Sequence, residues 1–133
     1  MQAVIDLLRQ YNEDVPVPMD LPDDEDIVDV VEQILLPLPP AYREFLLTVG
    51  DVVCGHLEPA TASDPNSHTY LPEMAAAAWS IGLPREYIPM CEAKGGYYCL
   101  DQEGVVLFWD GASLTDDSWD SIWIWARDVW LDF

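Results

Sequence analysis

Carboxylates dominate the side chains in this sequence that could do chemistry. There are 25 aspartates and glutamates, beside three cysteines, two histidines and only five lysines and arginines. A glycosidase needs two carboxylates roughly 5–10 Å apart across a sugar cleft, one of them with a raised pKa. With so many acids that spacing arises by chance, and nothing flags one pair as buried or set beside a sugar-stacking aromatic. Asp23-Asp24-Glu25-Asp26 is dense in oxygen ligands, yet it lacks the alternate spacing and central glycine of a calcium loop. It reads as the solvated start of a helix. Cys54-x-His56 with His68 offers zinc donors, but no second pair completes a tetrahedral site. Cys54, Cys91 and Cys99 form no C-x-x-C pair and read as reduced thiols. Cys91 and Cys99 fall on neighbouring predicted strands. They lie opposite one another if the hairpin loop has three residues and not if it has two. No serine stands in a G-x-S-x-G elbow. Gly95-Gly96 lacks the helix and the lysine-serine pair of a phosphate loop and reads as a hairpin turn. The expectation is a protein that is not an enzyme and has no cofactor and no metal.

Binding is the remaining chemistry, and charge sets its sign. The formal net charge is -20. Such a surface repels nucleic-acid phosphates and anionic membranes and favours a basic partner. From Asp101 to the C-terminus the acids are Asp101, Glu103, Asp110, Asp116, Asp117, Asp120, Asp128 and Asp132, opposed only by Arg127. Asp116 and Asp117 are expected in a loop just before a final helix, beside the Asp110-Gly111 turn. Loops at one end of a sheet make a docking rim. The candidate partner-binding residues are Asp51, Glu58, Asp64, Asp110, Asp116 and Asp117. Trp125 falls off the inward stripe of that final helix, so an exposed Trp125 would make an aromatic anchor. The alternative is a helix with a broad buried face. Trp109 fits either side of its strand.

These residues need elements to position them. The chain has 133 residues, 15.0 kDa and 50% hydrophobic content, enough for one domain over 1–133 with a full core. Val4, Ile5, Leu7, Leu8 and Tyr11 recur at helical spacing. A second helix is predicted over Asp23–Leu36, with acids in its first turn to suit the helix dipole. A third runs from Pro40 to Gly50. Val52–Glu58 reads as a short strand, Thr61–Thr69 as a polar loop, and Pro72–Ile81 as a helix. Three runs then alternate with turn residues: Glu86–Glu92, Tyr97–Leu100 and Val105–Trp109. They form an antiparallel meander. A closing helix is predicted over about Asp117–Leu131, with Trp119, Ile122, Trp123, Ala126, Val129 and Trp130 inward. The class is α+β, a small antiparallel sheet covered by N-terminal and C-terminal helices.

The order of these motifs resembles the SUKH superfamily. LPPAYREFLLTVGD at Leu38–Asp51 is similar to its Leu-Pro helix motif. The short strand ending at Glu58-Pro59 resembles the segment that follows. YIPMCEAKGGYYCLDQEGVVLFWDG at Tyr87–Gly111 resembles its central hairpin pair, and SWDSIWIWARDVWL its final helix. The resemblance covers about residues 38–131. It implies a SUKH-like fold and a binding role, since bacterial members are mostly immunity proteins of polymorphic toxin systems. That makes the expected function a cytosolic immunity protein, which binds a basic toxin domain such as a nuclease. The alternative is an intracellular scaffold or regulator with a host partner. The resemblance carries no catalytic residue. Neither nucleic acid nor membrane is an expected partner, and the protein is expected as a monomer or homodimer. MQAVIDLLRQYNED lacks the basic and apolar regions of a secretory signal, and apolar runs such as Met74–Trp79 are too short to span a bilayer. The expected location is the cytoplasm.

Overall fold

Helical spacing, acid-first caps and proline stops build the first third of the fold, as a computed structural model of the chain shows; it describes residues 1–132. Helix α1 (Gln2–Gln10) buries Val4 and Leu8. Helix α2 (Asp24–Ile34) opens on a reciprocal cap: Asp23 accepts from the Asp26 amide, and Asp26 accepts from the Asp23 amide. It ends where Leu35 turns left-handed, at φ 59°. Helix α3 (Pro40–Val49) has proline at its first position and stops at Gly50. Gly50 is right-handed, and its glycine is required for another reason. A Cβ there would lie 2.3 Å from the Leu46 carbonyl oxygen.

Helix α4 (Leu71–Ser80) precedes the sheet. Strands β1 (Ile88–Ala93), β2 (Gly96–Leu100), β3 (Val106–Trp109) and β4 (Leu114–Trp119) form an antiparallel meander in the order β1-β2-β3-β4. The β1–β2 loop is Lys94-Gly95, both with positive φ, and Ala93 pairs with Gly96. That two-residue turn suits the strand twist. Gly96 lets β3 approach, because a Cβ on it would meet the Trp109 carbonyl oxygen at 1.9 Å. A bulge at Met90 places Met90 and Cys91 in the same core. Cys91 therefore pairs with Tyr98, and Cys99 with Pro89. The two thiols belong to different core clusters.

Three sequence expectations are corrected. Val52–Glu58 is not a strand: Gly55 turns it at φ 63°, and only Pro59 bridges to Cys91. The Ala60 amide also donates to the Met90 carbonyl, which covers the middle of the outer edge of β1. Asp116 and Asp117 are not in a loop before a long helix but on β4, the opposite edge strand. Ser118 pairs with Leu107 and Leu114 with Trp109, so three residues of β4 face one of β3 and the acid pair sits on a bulge. The long closing helix is a four-residue α5 (Ile122–Trp125), capped by the Ser121 hydroxyl and widened into a π turn over Ala126–Trp130.

The main core gathers α1, α2, α3, α5 and one set of alternate strand residues, among them Ile88, Leu100, Val106 and Phe108. The other set, Tyr97, Cys99 and Trp109, packs with Ala78 and Leu83. The Arg85 guanidinium stacks on Trp79 at 3.8 Å and donates to the Ile34 carbonyl, which locks the end of α2 to the segment between α4 and β1.

Candidate functional site

The segment between α3 and α4 carries the site, and hydrogen bonds hold it although it has no regular structure. The Val53 amide donates to the Asn12 side chain at 2.8 Å, and the Val53 carbonyl accepts from the Glu13 amide at 2.7 Å. The Gly55 amide donates to the Glu13 carboxylate. The Trp130 indole donates to the Cys54 carbonyl at 3.1 Å from below. Further on, the loop Ala60–Thr69 is cinched at its base: the Thr61 amide donates to the Thr69 carbonyl, and the Thr61 and Thr69 hydroxyls meet at 2.9 Å. Such a compact loop with close ends is packed by its own side chains. It presents His68, whose Nε2 lies 2.7 Å from Oε2 of Glu58.

That pair lines two adjoining hollows. One is a cleft of about 250 Å3 with Glu73 on α4, Glu92 on β1 and Tyr97 on β2, over Met74 and Ala77. The Tyr97 hydroxyl donates to Glu92 at 3.1 Å across the strand pair. The other is an apolar groove of about 130 Å3 with Met19, Val52, Val53, Leu57 and Pro59, and with Asp51 on its rim. Neither hollow has a lysine or arginine in its lining. Small-molecule sites run from about 300 to 1,000 Å3, so these two suit inserted side chains better than a cofactor.

The predicted partner residues divide into two groups. Asp51 and Glu58 both line the apolar groove. Asp51 accepts both Arg9 guanidinium nitrogens, at 2.7 and 2.9 Å, and fastens α1 to the end of α3. Asp64 lies in the loop that carries His68, where it accepts from the Asn66 amide. Asp110, Asp116 and Asp117 lie with β3 and β4, at the sheet edge away from Pro59. Asp110 caps its turn, accepting from the Ser113 and Ala112 amides. Those bonds hold its carboxyl below the usual carboxylate range. Trp125 is corrected outright: it is fully buried, between Tyr98 and Trp130, and is core rather than a surface anchor. Trp109 is buried too.

Sequence reasoning missed Glu73, Glu92 and Tyr97, and it weighed His68 only as a zinc donor. The one available signal was Glu73, the sole charge in LPEMAAAAWS. The three thiols offer no nucleophile. Burial pushes Cys54 up to about 11 and Cys91 and Cys99 up to about 12. The native protein should therefore react slowly with a thiol-specific disulfide reagent at neutral pH and release three equivalents only on unfolding. Rapid native labelling would contradict this burial. Among the described residues, no group of three or more His, Cys, Asp or Glu is placed to hold a metal ion, and no helix is long and apolar enough to cross a membrane.

Helices, a lashed loop, a four-stranded meander and a short aromatic closing helix define a small single-domain α+β protein. The chain belongs to the SUKH superfamily: the family SUKH_5, described as "SMI1-KNR4 cell-wall", matches residues 1–131. The match thus includes the N-terminal helices, ahead of the motifs at Leu38–Leu131. A crystal structure of a protein from Pseudomonas syringae pv. tomato is similar at a TM-score of 0.97 and 52% identity, over 100% of both chains. No curated protein matches.

Proposed function

We propose that this protein is a cytosolic immunity protein, which binds and neutralises a basic toxin domain, a nuclease in the first instance, of a polymorphic toxin system. It acts by binding and not by catalysis. The observation that carries the reading is an unbalanced charge. Against 25 acids stand five bases, and four of those are already engaged: Arg9 on Asp51, Arg43 on Asp24, Arg127 on Asp128, and Arg85 on Trp79. Holding this many like charges costs stability through self-repulsion, and attraction of a basic partner offsets that cost. Membership of the SUKH superfamily supports a protein partner, and the similar bacterial chain supports a bacterial setting. The test is co-expression with basic, toxin-like reading frames encoded beside the gene. Restored growth, together with inhibition of the purified toxin at one-to-one stoichiometry, is the expected result. The family's cell-wall description favours a second reading, a scaffold for a host protein. Binding to such a protein with no protection from any neighbouring toxin would support it over the first.

A further inference from the structure

Five features of the molecule compete for a role beyond the charge itself. The hollows along α2 are open on an exposed face at Val28, with nothing to indicate what covers it. The edge of β4 is interrupted by its bulge. The buried thiols are shielded, and the unpartnered Tyr42 hydroxyl and Trp125 indole are enclosed in the core. The paired hollows on either side of His68 and Glu58 remain, and they have the three properties of a recognition site. They are concave, they rest on pinned backbone, and they differ in chemistry.

We infer that the apolar groove and the acidic cleft are one docking site for an extended segment of a basic protein, which seats an apolar side chain in the groove and an arginine or lysine in the cleft. The inference rests on the reading of the protein as a binder of a basic partner and specifies what that partner presents. Groove first: Val52 and Pro59 are its buried floor, and Met19, Val53 and Leu57 stand higher and partly exposed. An apolar side chain placed there removes surface from water on both molecules. Past the Glu58–His68 pair the lining changes. Met74 and Ala77 give a surface for an aliphatic stem, while Glu58, Glu73 and Glu92 surround the cleft with carboxylates. Long basic side chains match that arrangement, with an apolar stem and a charged head. Among the described residues, none of the four ion pairs includes Glu73 or Glu92. Glu92 is oriented by the Tyr97 hydroxyl, and its second oxygen is left to accept from a guanidinium.

Charge decides among occupants. A second copy of this chain brings a net charge of -20 with only five bases, so copies repel. Nucleic acid and anionic lipid are repelled by the same carboxylates. A basic polypeptide is the macromolecule for which both halves of the site are favourable. The pinning of Val53 and Gly55 by Asn12 and Glu13 means that the groove exists before the partner arrives, which lowers the ordering cost of docking.

The experiment is a nuclear magnetic resonance titration of the isotopically labelled full chain with three capped pentapeptides: Leu-Arg-Leu-Arg-Leu, Gly-Arg-Gly-Arg-Gly and Leu-Glu-Leu-Glu-Leu. The first should saturate, with shifts concentrated at Val53, Leu57, Met74 and Ala77. The second should bind at least about tenfold more weakly, and the third should leave the spectrum unchanged. E73Q with E92Q should weaken the first peptide by roughly tenfold or more, as expected when a charge-assisted hydrogen bond is lost. D116N with D117N, on the far edge, should not. Shifts centred on Asp110–Asp117, or equal binding of the glycine and leucine peptides, would overturn the inference. Toxin neutralisation separates it from the broader reading. If E73Q with E92Q still neutralises a toxin at full strength, this docking site is wrong and the immunity role stands. If the peptide binds as expected and no toxin is neutralised, the site stands and its basic partner is of another kind.

Discussion

Trp125→Ala destabilises the protein by about 3–5 kcal/mol, the usual range for removing a large aromatic from a packed core. That is a large share of the roughly 5–15 kcal/mol that holds an ordinary domain together. The indole is wholly buried. It meets Tyr98 edge-on at 5.4 Å and Trp130 at 6.3 Å. Trp130 in turn leans on Phe45 at 5.8 Å, and Tyr98 on Phe108 at 4.9 Å. One substitution therefore opens a cavity where α3, the sheet and the closing helix meet. Trp125→Phe should cost much less, because it keeps most of the ring volume and removes an indole N–H that has no acceptor. Urea unfolding of the two variants measures both. An alanine variant of unchanged stability that has lost its partner would restore Trp125 to the surface and refute the packing described here.

Association with the proposed basic partner should slow by about 100-fold or more from low to high salt, since steered encounters reach ~10⁸–10⁹ M⁻¹s⁻¹ at low salt against ~10⁵–10⁶ without steering. The sign follows from a net charge of -20, with three of the five bases already paired to carboxylates and a fourth stacked on Trp79. Salt has the opposite effect on the folded protein alone. Screening relieves its self-repulsion, so the unfolding temperature should rise over the same range. Stopped-flow mixing and thermal denaturation read the two trends. An association rate that ignores salt would remove the electrostatic basis of the proposed function.

Local signals account for what could be read in advance. The acid-rich first turn at Asp23–Asp26 and the prolines at 37, 39 and 40 bound α2 and α3 without reference to the rest of the chain. But of Ile27, Val28, Val31, Ile34 and Leu35, the residues helical spacing turns inward on α2, only Ile27 and Ile34 are buried; Val28 and Leu35 are exposed, and Val30 takes the core position instead. The Lys94-Gly95-Gly96 turn between two strand-like runs announces the first hairpin, though not whether its loop has two residues or three, which the pairing of Ala93 with Gly96 decides. Strand β4 has no such signal. Thr115, Asp116, Asp117 and Ser118 have no apolar alternation, and they become a strand because β3 offers them an open edge. With the start of the expected helix taken by that strand, the closing helix shortens, and Ile122, Trp123, Trp125 and Trp130 all reach the core. A periodic stripe drawn over fifteen residues could not anticipate this. The site shows the same division. Glu58 was visible beside Pro59, whereas Glu73, Glu92 and His68 come from three separate elements and meet only through tertiary packing.

The bulged edge of β4 bears on how the protein survives in quantity. A sheet with bare edges invites a second sheet to extend it, and that is how stored protein turns into aggregate. Here Pro59 and Ala60 occupy one edge. On the other, Asp116 and Asp117 project from a kink where hydrogen-bonded pairing breaks, so an approaching copy meets both misaligned backbone and its own charge. For the role proposed above, in which the protein waits for its target, an edge that resists extension by a second copy is an advantage.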